Sequence, residues 1–505
     1  MGGKYRQSGF VNIAQDKMKS YLTILILALT LKTVGQTAFD RSAFSAATEK
    51  VISNIEQLNK VSDNIYEKTE VGIKKRDILA QLLNVASKEE LITLTNHPNG
   101  VVRCYSFWAL SHKPNVNLLP ILINHISDTA NVQTLFGDEG GREKAGDFMI
   151  DVATPDYVDL ACSKLDSTQL ARLDSILIYT PNDLNAKANA IRMAQPTDKL
   201  YSRFRELVIK DHNQSALVTL AKYRKQQDVS LILENREGGE PANEGYFYTY
   251  QAISQFPSPD FMPLLKRNLQ NTYEESHHYS NEWAELYQAI AAYRNPEAVE
   301  LLKTPFTKVK SRDIREYHLN FVFAAIQGST DSVFDGLKWM LWEDGGRIGL
   351  AEFKYLSLQS PLRAFVLAKN SLLNSGQMEI SSFGYNNNSS DSLPVIMLNL
   401  IFQKDSVSGL DIIRTNLRQA DVHMYPIFSR RAAEICSRSF VIPLFERIER
   451  EDNPWIYLEA VKALIAYNDH SINKKILECR QKNKNLGTGW GGKELNSLLK
   501  ENNIN

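Results

Sequence analysis

One stretch of the chain, residues 98–126, constrains the fold more than any other because it contains two amphipathic segments joined by a Pro-Asn turn. On the first segment, apolar residues recur at three- and four-residue steps, and they include Val101, Val102, Cys104, Tyr105, Trp108 and Ala109. On the second segment the same spacing is kept by Val116, Leu119, Leu122, Ile123 and Ile126. Two short helices that share one apolar face need neighbours of the same kind, so the pair is typical of one unit of a helical solenoid.

Degenerate copies of this pattern recur along the chain. Their common feature is Thr, Ser or Asn followed by Pro and an apolar run, which indicates a helix with an N-cap and Pro at its first position. Copies occur at 154–158, 258–265, 295–302 and 453–464, and 441–445 echoes 118–122. Because they reach both ends of the chain, we expect one continuous all-α array, an alpha-alpha superhelix of antiparallel helix pairs.

The segment 99–122 resembles a HEAT repeat of the bacterial kind. The matching residues are Asn-x-Val-Val-Arg, Phe-Trp-Ala-Leu, a Pro-containing turn and Val-x-Leu-Leu-Pro-Ile-Leu. The resemblance implies an armadillo-like fold with Val102 and Ala109 in the inter-helix core. It also implies that Arg103 occupies the family's Arg position, where it pairs along the stack. It covers one repeat and indicates a type of fold, with no activity attached.

Strands are hardly expected, because no sustained alternation of apolar and polar residues is bounded by Asn-Gly or Asp-Gly turns. Three long loops are predicted to interrupt the helices, at 136–146, 235–245 and 375–394. Loops longer than a connection needs are often functional or disordered, and the sequence does not assign these a role.

The N-terminal region is predicted to direct export. Residues 18–35 have a basic start, a short apolar run and small residues at the end, which is the layout of a secretory signal peptide. The run is too short to span a bilayer, which takes about 20 residues. Cleavage after Gly35 would leave no membrane span. Residues 1–17 are interpreted as an upstream over-extension of the reading frame, with translation starting at Met18. A start at Met1 is the alternative.

The rest of the chain divides by its pattern. Residues 36–86 are weakly patterned, as in the N-terminal cap of a solenoid, and 87–480 carry the HEAT-like repeats. Residues 481–505 are predicted to be a polar, Gly-rich and flexible tail with one short helix. The tail contains Gly-x-Gly-x-x-Gly at 487–492, but a phosphate-binding loop would need a strand before it.

Composition narrows the classes of partner and cofactor. The chain has 58 basic and 58 acidic residues, so a nucleic-acid partner is not expected. The four cysteines are scattered with no Cys-x-x-Cys, and we interpret them as small core residues. Pairing between distant cysteines stays open. No cofactor, no metal site and no catalytic residue are predicted.

One His-rich segment is kept as a surface candidate. Glu274, His278 and Glu282 are four residues apart and would share one face of a helix, with His277 beside them. Such a face could hold a divalent metal, but His-Glu-x-x-His is absent. The interpretation is therefore a solvated helix face.

A second pattern is Asp followed by Ser or Thr and then by an aliphatic residue or Thr. It begins at Asp128, Asp166, Asp174, Asp331, Asp391 and Asp405. The pattern resembles an O-glycosylation acceptor of certain Gram-negative envelopes, and it is equally a common helix start. If it is an acceptor, we expect Thr129 and Ser392 to be the accessible hydroxyls and Ser175 to be buried.

These features together predict an exported, non-enzymatic scaffold in the periplasm or cell envelope of a Gram-negative bacterium. Its solenoid surface would bind a protein or a glycan, because solenoids supply long surfaces and no catalytic groups converge in the sequence. Two alternatives stay open. One is an all-helical toroid enzyme that acts on polysaccharide, for which the 10% aromatic content could supply sugar-stacking platforms. The other is a purely structural envelope component.

Overall fold

The computed structural model describes residues 39–42, 44–63, 65–69, 72–236, 245–274, 281–377 and 392–504, with the side chains of 65–76 left out. The predicted signal peptide and over-extension lie outside these residues, as do most of 235–245 and 375–394. The chain divides into two compact units, Met1–Glu206 and Leu207–Asn505. In the part that the structure describes, no helix is long and apolar enough to cross a membrane.

The first unit is built from short helices. They are α1 Ala46–Leu58, α2 Ile78–Val85, α3 Lys88–Leu94, α4 Gly100–Ser111, α5 Leu118–Asn124, α6 Ala145–Ala153, α7 Ser167–Tyr179 and α8 Asn185–Met193, and α9 Asp198–Asp211 runs across the boundary. Helix α4 is the centre of this unit, because α1, α2, α3 and α6 all pack against it. The two helices predicted in residues 98–126 are confirmed as α4 and α5, although α5 packs mainly against α6 and α7.

Helix α4 is buried on nearly every side. It begins after Asn99, whose side chain accepts hydrogen bonds from the amides of Val101 and Val102. Of its residues, only Gly100 and Arg103 are not buried. The helix is thus the core element of the first unit, beyond the single apolar stripe that its spacing indicates.

The first unit also contains strands, which corrects two predictions. Strands β1 Val61–Ser62, β4 Asn131–Phe136 and β5 Glu139–Lys144 form one sheet, with β1 parallel to β4 and β4 antiparallel to β5. Strands β2 Ile65–Thr69 and β3 Gly72–Arg76 form a separate hairpin. The predicted loop at 136–146 is wrong, since it is strand β5 and the start of α6.

Strands β4 and β5 form a hairpin whose turn is neither Asn-Gly nor Asp-Gly. Its two central residues are Gly137 and Asp138, and Gly137 has a φ of +63°. A positive φ at the first turn position suits glycine and matches the twist of the strands, so Gly-Asp is a hairpin signal like Asn-Gly. The mostly exposed side chains of β5 explain why no alternation marks that strand.

A predicted helix at 154–158 is also wrong. After α6 ends, residues 154–166 form a series of turns up to the N-cap of α7. Val158 and Leu160 are 83% and 88% exposed, so this segment has no apolar face that a helix could bury. Its conformation is set by side chains that bond to the backbone, as described for Asp159 below.

The second unit is all helix in its described residues. Its helices are α10 Gln214–Ala221, α11 Val229–Glu234, α12 Phe247–Gln255, α13 Met262–Asn271, α14 Asn281–Ala291, α15 Pro296–Lys308, α16 Arg312–Ile326, α17 Asp335–Gly345, α18 Leu350–Gln359, α19 Pro361–Leu373, α20 Leu393–Lys404, α21 Ser406–Gln419, α22 Tyr425–Ile435, α23 Val441–Ile448, α24 Pro454–Ile465, α25 His470–Lys482 and α26 Gly489–Glu501. Short 3₁₀ turns precede several of them.

Packing in the second unit follows the order of the chain. Alternate helices pack on one another, first α10, α12, α14 and α16, and later α22, α24 and α26. The core consists of one apolar cluster between Leu217 and Leu341 and a second between Trp339 and Ile504. Because each helix pair contacts mainly its neighbours, the all-α superhelical class predicted from the repeats is confirmed.

Three of the predicted helix starts lie in this unit and are confirmed. Ser258, Asn295 and Asn453 are N-caps, and each accepts a hydrogen bond from a backbone amide in the first turn that follows. A proline occupies the first turn in every case. Local capping chemistry therefore identified these boundaries correctly.

The C-terminal segment is a packed helix and not a flexible tail. Helix α26 lies against α24, and Leu495, Leu499 and Ile504 are buried. The glycines there serve this packing, since a Cβ at Gly491 would lie 2.5 Å from the Cβ of Pro454. Gly491 thus allows the two helices to approach closely, and the Gly-x-Gly-x-x-Gly pattern needs no phosphate to explain it.

Candidate functional site

The His-rich candidates do not form a described site. Glu274 ends a 3₁₀ turn that follows α13, whereas Glu282 is the second residue of α14. His277 and His278 lie outside the described residues. The two glutamates thus belong to separate elements, and the predicted shared face stays a prediction.

The Asp-Ser/Thr triplets start helices in most of the described cases. Asp166, Asp331 and Asp405 are N-caps whose carboxylates accept a hydrogen bond from an amide two or three residues later. Asp128 accepts one from the amide of Ala130 and also pairs with Arg103. Asp391 lies outside the described residues. These contacts favour the helix-start interpretation of the pattern.

The two proposed acceptor hydroxyls differ in accessibility. Thr129 is exposed, as expected. Ser392 is only 6% exposed, and among the described residues its hydroxyl has no hydrogen-bond partner. It caps α20, whose first residues Leu393 and Pro394 pack into the core. Ser175, expected to be buried, is exposed on α7.

The first unit contains a polar cluster that the sequence did not predict. The Nε2 atom of His112 lies 2.9 Å from Oδ2 of Asp159 and 3.5 Å from Sγ of Cys162. The indole Nε1 of Trp108 donates a hydrogen bond of 2.9 Å to the same carboxylate oxygen. The histidine, carboxylate and thiol atoms all lie within 4.8 Å of one another, the only such group found among the described residues.

Two elements position this cluster. Trp108 and the C-cap residue His112 are one turn apart at the end of α4, so they project from the same face. Asp159 and Cys162 lie in the turns after α6. There, Oδ1 of Asp159 accepts a hydrogen bond of 3.1 Å from the amide of Ala161. The amide of Ser163 donates to the Ser111 carbonyl at 2.7 Å, which ties the segment to α4.

The arrangement does not suit a cysteine nucleophile. Burial raises the pKa of the Cys162 thiol to about 11, so the protonated and unreactive form dominates near neutral pH. Asp159 and Cys162 also face the same ring nitrogen of His112. In a catalytic triad the nucleophile and the carboxylate bind opposite nitrogens of the imidazole.

Three acidic residues form a second polar group in the first unit, with Glu143 on β5 and Asp147 and Asp151 on α6. Burial, and then the charges of Asp151 and Asp147, raise the pKa of Glu143 to about 7. Burial and Asp147 also raise the pKa of Asp151. The Tyr157 hydroxyl is buried without a hydrogen-bond partner among the described residues. Perturbed acids are found in structural networks as well as in active sites, so this group by itself does not define a reaction.

The second unit presents an exposed aromatic pair, Trp455 and Trp490. Their side chains are 65% and 47% exposed, and their ring centroids are 4.9 Å apart with planes tilted by 55°. Trp455 lies in the first turn of α24 and Trp490 at the start of α26. By contrast, Trp283, Trp339 and Trp342 are buried between helices. The sequence alone does not distinguish these two tryptophans from the buried ones, because the pair exists only where α26 packs on α24.

Comparison with known proteins assigns the chain to no family. No protein-family model matches it, and no curated protein shows significant similarity to it.

Proposed function

We propose that this protein is an exported, non-enzymatic scaffold of the cell envelope, built from HEAT-like helix pairs, that binds another protein. The exposed pair of Trp455 and Trp490 carries the proposal. Large aromatic side chains at the centre of a surface patch are the residues that most often supply binding energy at protein interfaces. Here two indoles remain in solvent beside a core that buries the other described tryptophans of this unit.

The surroundings of the pair suit a protein interface. Along α24, Glu459 and Lys462 follow Trp455 on the same face and form an ion pair of 2.8 Å. On α26, Lys493 and Glu494 follow Trp490 and are exposed. An aromatic centre with a mixed-charge rim is the usual anatomy of an interface, whereas a basic rim would favour nucleic acid.

Two further observations support the HEAT-like part of the proposal. Alternate helices pack on one another in the second unit, as in helical repeats. Arg103, which the resemblance places at the family's Arg position, makes a two-pronged ion pair with Asp128. The export part rests on residues 18–35 of the sequence.

Removal of both indoles is expected to weaken partner binding strongly without unfolding the protein. The double variant Trp455→Ala/Trp490→Ala should weaken binding at least about 30-fold, which corresponds to about 2 kcal/mol for a hot spot. The measurement is cross-linked capture from envelope fractions, followed by titration of the captured protein. Ile442→Ala is the matched control, because Ile442 is a 64% exposed apolar residue on α23 of the same unit.

Equal capture by the double variant and by wild type would rule out the aromatic pair as the contact. The same variants titrated with purified envelope polysaccharide distinguish a glycan partner from a protein partner. Release of new reducing ends in that titration would favour the alternative, an enzyme that acts on polysaccharide, and Glu143 with its raised pKa would then be the first residue to test.

Export predicts a specific mature chain. Protein purified from its native envelope should begin at or near Gln36, and intact-mass spectrometry reads this directly. If Thr129 is glycosylated, the chain is also heavier than its sequence, and Thr129→Ala removes the extra mass. Ser392→Ala is the control that should keep the extra mass, because that hydroxyl is buried. A chain that starts at Met1, or that is found in the cytosol, would contradict export.

A further inference from the structure

We propose that His112, Asp159 and Cys162 form a binding site for a divalent transition-metal ion, with zinc as the best match. The three side chains offer an imidazole nitrogen, a carboxylate oxygen and a sulfur atom. This mixture of ligands suits zinc and its neighbours in the first transition row, whereas calcium and magnesium prefer oxygen ligands alone. The site is separate from the exposed aromatic pair and does not depend on the proposed binding function.

Two of the three distances between the ligand atoms are close to those found around one ion. With Zn–N near 2.0 Å and Zn–S near 2.3 Å, two ligand atoms of a tetrahedral zinc site are separated by roughly 3.3–3.5 Å. The His112 nitrogen lies 3.5 Å from the sulfur of Cys162 and 2.9 Å from the carboxylate oxygen of Asp159. The sulfur of Cys162 and the oxygen of Asp159 lie within 4.8 Å of each other. The ion would be admitted if the His112 nitrogen and the Asp159 oxygen moved apart by a few tenths of an ångström and the Cys162 sulfur closed on that oxygen.

Neighbouring groups hold the ligands in place. The indole of Trp108 and the amide of Ala161 donate to the two oxygens of Asp159, at 2.9 Å and 3.1 Å. Donors of this kind orient a metal-binding carboxylate and increase affinity for the ion. The bond between the Ser163 amide and the Ser111 carbonyl keeps the turn that carries Cys162 beside α4. The site is thus assembled by the fold before an ion binds.

The exposure of the ligands leaves a route for the ion. Cys162 is 5% exposed, whereas the side chains of His112 and Asp159 are 18% and 23% exposed. The ion would thus reach the site from the side of the imidazole and the carboxylate. Three protein ligands with an open side leave room for a water molecule as the fourth ligand. One carboxylate and one thiolate would neutralise the two positive charges of the ion.

Cobalt(II) provides the direct test, because it occupies zinc sites and its thiolate complexes absorb in the near ultraviolet. The full chain, freed of metal with a chelator and titrated with Co²⁺, should bind one ion with a thiolate-to-cobalt absorption band. Zn²⁺ should then displace the cobalt and remove the band. Cys162→Ser should abolish the band, whereas Cys436→Ser, the matched change at an exposed cysteine in the other unit, should leave it intact.

A second variant separates a metal site from a purely hydrogen-bonded cluster. Trp108→Phe keeps all three ligands and removes the donor to Asp159, so it should retain the band but weaken cobalt binding about 10–100-fold. The proposal is overturned if the wild-type chain gives no thiolate band, or if the band survives Cys162→Ser. If Cys162→Ser fails to fold, the other two variants locate the site: the band should persist in Cys436→Ser, and cobalt binding should weaken in Trp108→Phe.

Discussion

Trp108→Ala is expected to lower the free energy of unfolding of the first unit by about 3–5 kcal/mol. Trp108 is 5% exposed in the last turn of α4, so truncation leaves a large cavity. Its ring lies about 6 Å from the rings of Phe136 and Phe148, which belong to β4 and α6. The side chain therefore joins the sheet and two helices, and its loss affects the whole unit.

Truncation also removes the hydrogen bond from the indole to Asp159, which leaves a half-buried carboxylate with one donor fewer. Urea unfolding at pH 7 measures the loss. Met193→Ala is the control in the same unit, since Met193 is 76% exposed and its loss should stay within about 0.5 kcal/mol. A loss of less than about 1 kcal/mol for Trp108→Ala would show that the ring does not support the core.

The sequence predicted the parts of this fold that local chemistry determines. The spacing of apolar residues at 98–126 was sufficient to predict α4 and α5. The same holds for the capped starts at Ser258, Asn295 and Asn453. Helical period and capping act within a few residues, so they can be recognised in the sequence without tertiary information.

The parts that were not predicted depend on contacts with other segments of the chain. Strand β5 is mostly exposed and becomes a strand through its pairing with β4, so its sequence shows no apolar alternation. The segment at 154–166 has Pro155 and apolar residues, as a helix start would, but it is held in turns by contacts with α4. The polar, Gly-rich sequence of the C-terminal segment predicts a flexible tail. In the fold, Gly491 permits close packing instead.

The candidate sites were the least predictable features for the same reason. His112 and Asp159 are 47 residues apart in the chain, and neither stands in a recognisable metal motif. The sequence predicts that Cys162 is a core residue, and its burial agrees with this. A buried cysteine can still be a metal ligand. Only the docking of the turn segment on α4 brings the three side chains together.

Loss of the ion pair between Arg103 and Asp128 is expected to have the second large effect on stability. The pair is half-buried and belongs to a network of hydrogen bonds, so it is not an ordinary surface contact. Nε and Nη2 of Arg103 each lie 2.7 Å from one carboxylate oxygen of Asp128. Nη1 donates to the carbonyl oxygens of His97 and Pro98, at 2.7 Å and 2.9 Å. The arginine thus connects the start of α4 with the segment after α5.

Arg103→Ala should therefore lower the free energy of unfolding by about 3–5 kcal/mol, since it leaves the Asp128 carboxylate half-buried without its main partner. Arg103→Lys should restore only part of this, because an ammonium group cannot make the two-pronged contact. Arg172→Ala is the control, at an exposed arginine on α7. The double variant Arg103→Met/Asp128→Leu should be more stable than Arg103→Ala, because no charge is left unpaired.

The pair also predicts how the stability of the first unit depends on pH. Burial alone would raise the pKa of Asp128, but contacts with His125 and Arg103 outweigh it and hold the pKa well below its usual range. The unfolded chain then binds a proton at a higher pH than the folded chain does. The stabilisation is complete above about pH 4 and is lost as the pH falls below that value. Urea unfolding at pH 7 and pH 3 should show a smaller loss for Asp128→Asn than for wild type, and equal losses would mean that the pair does not govern acid stability.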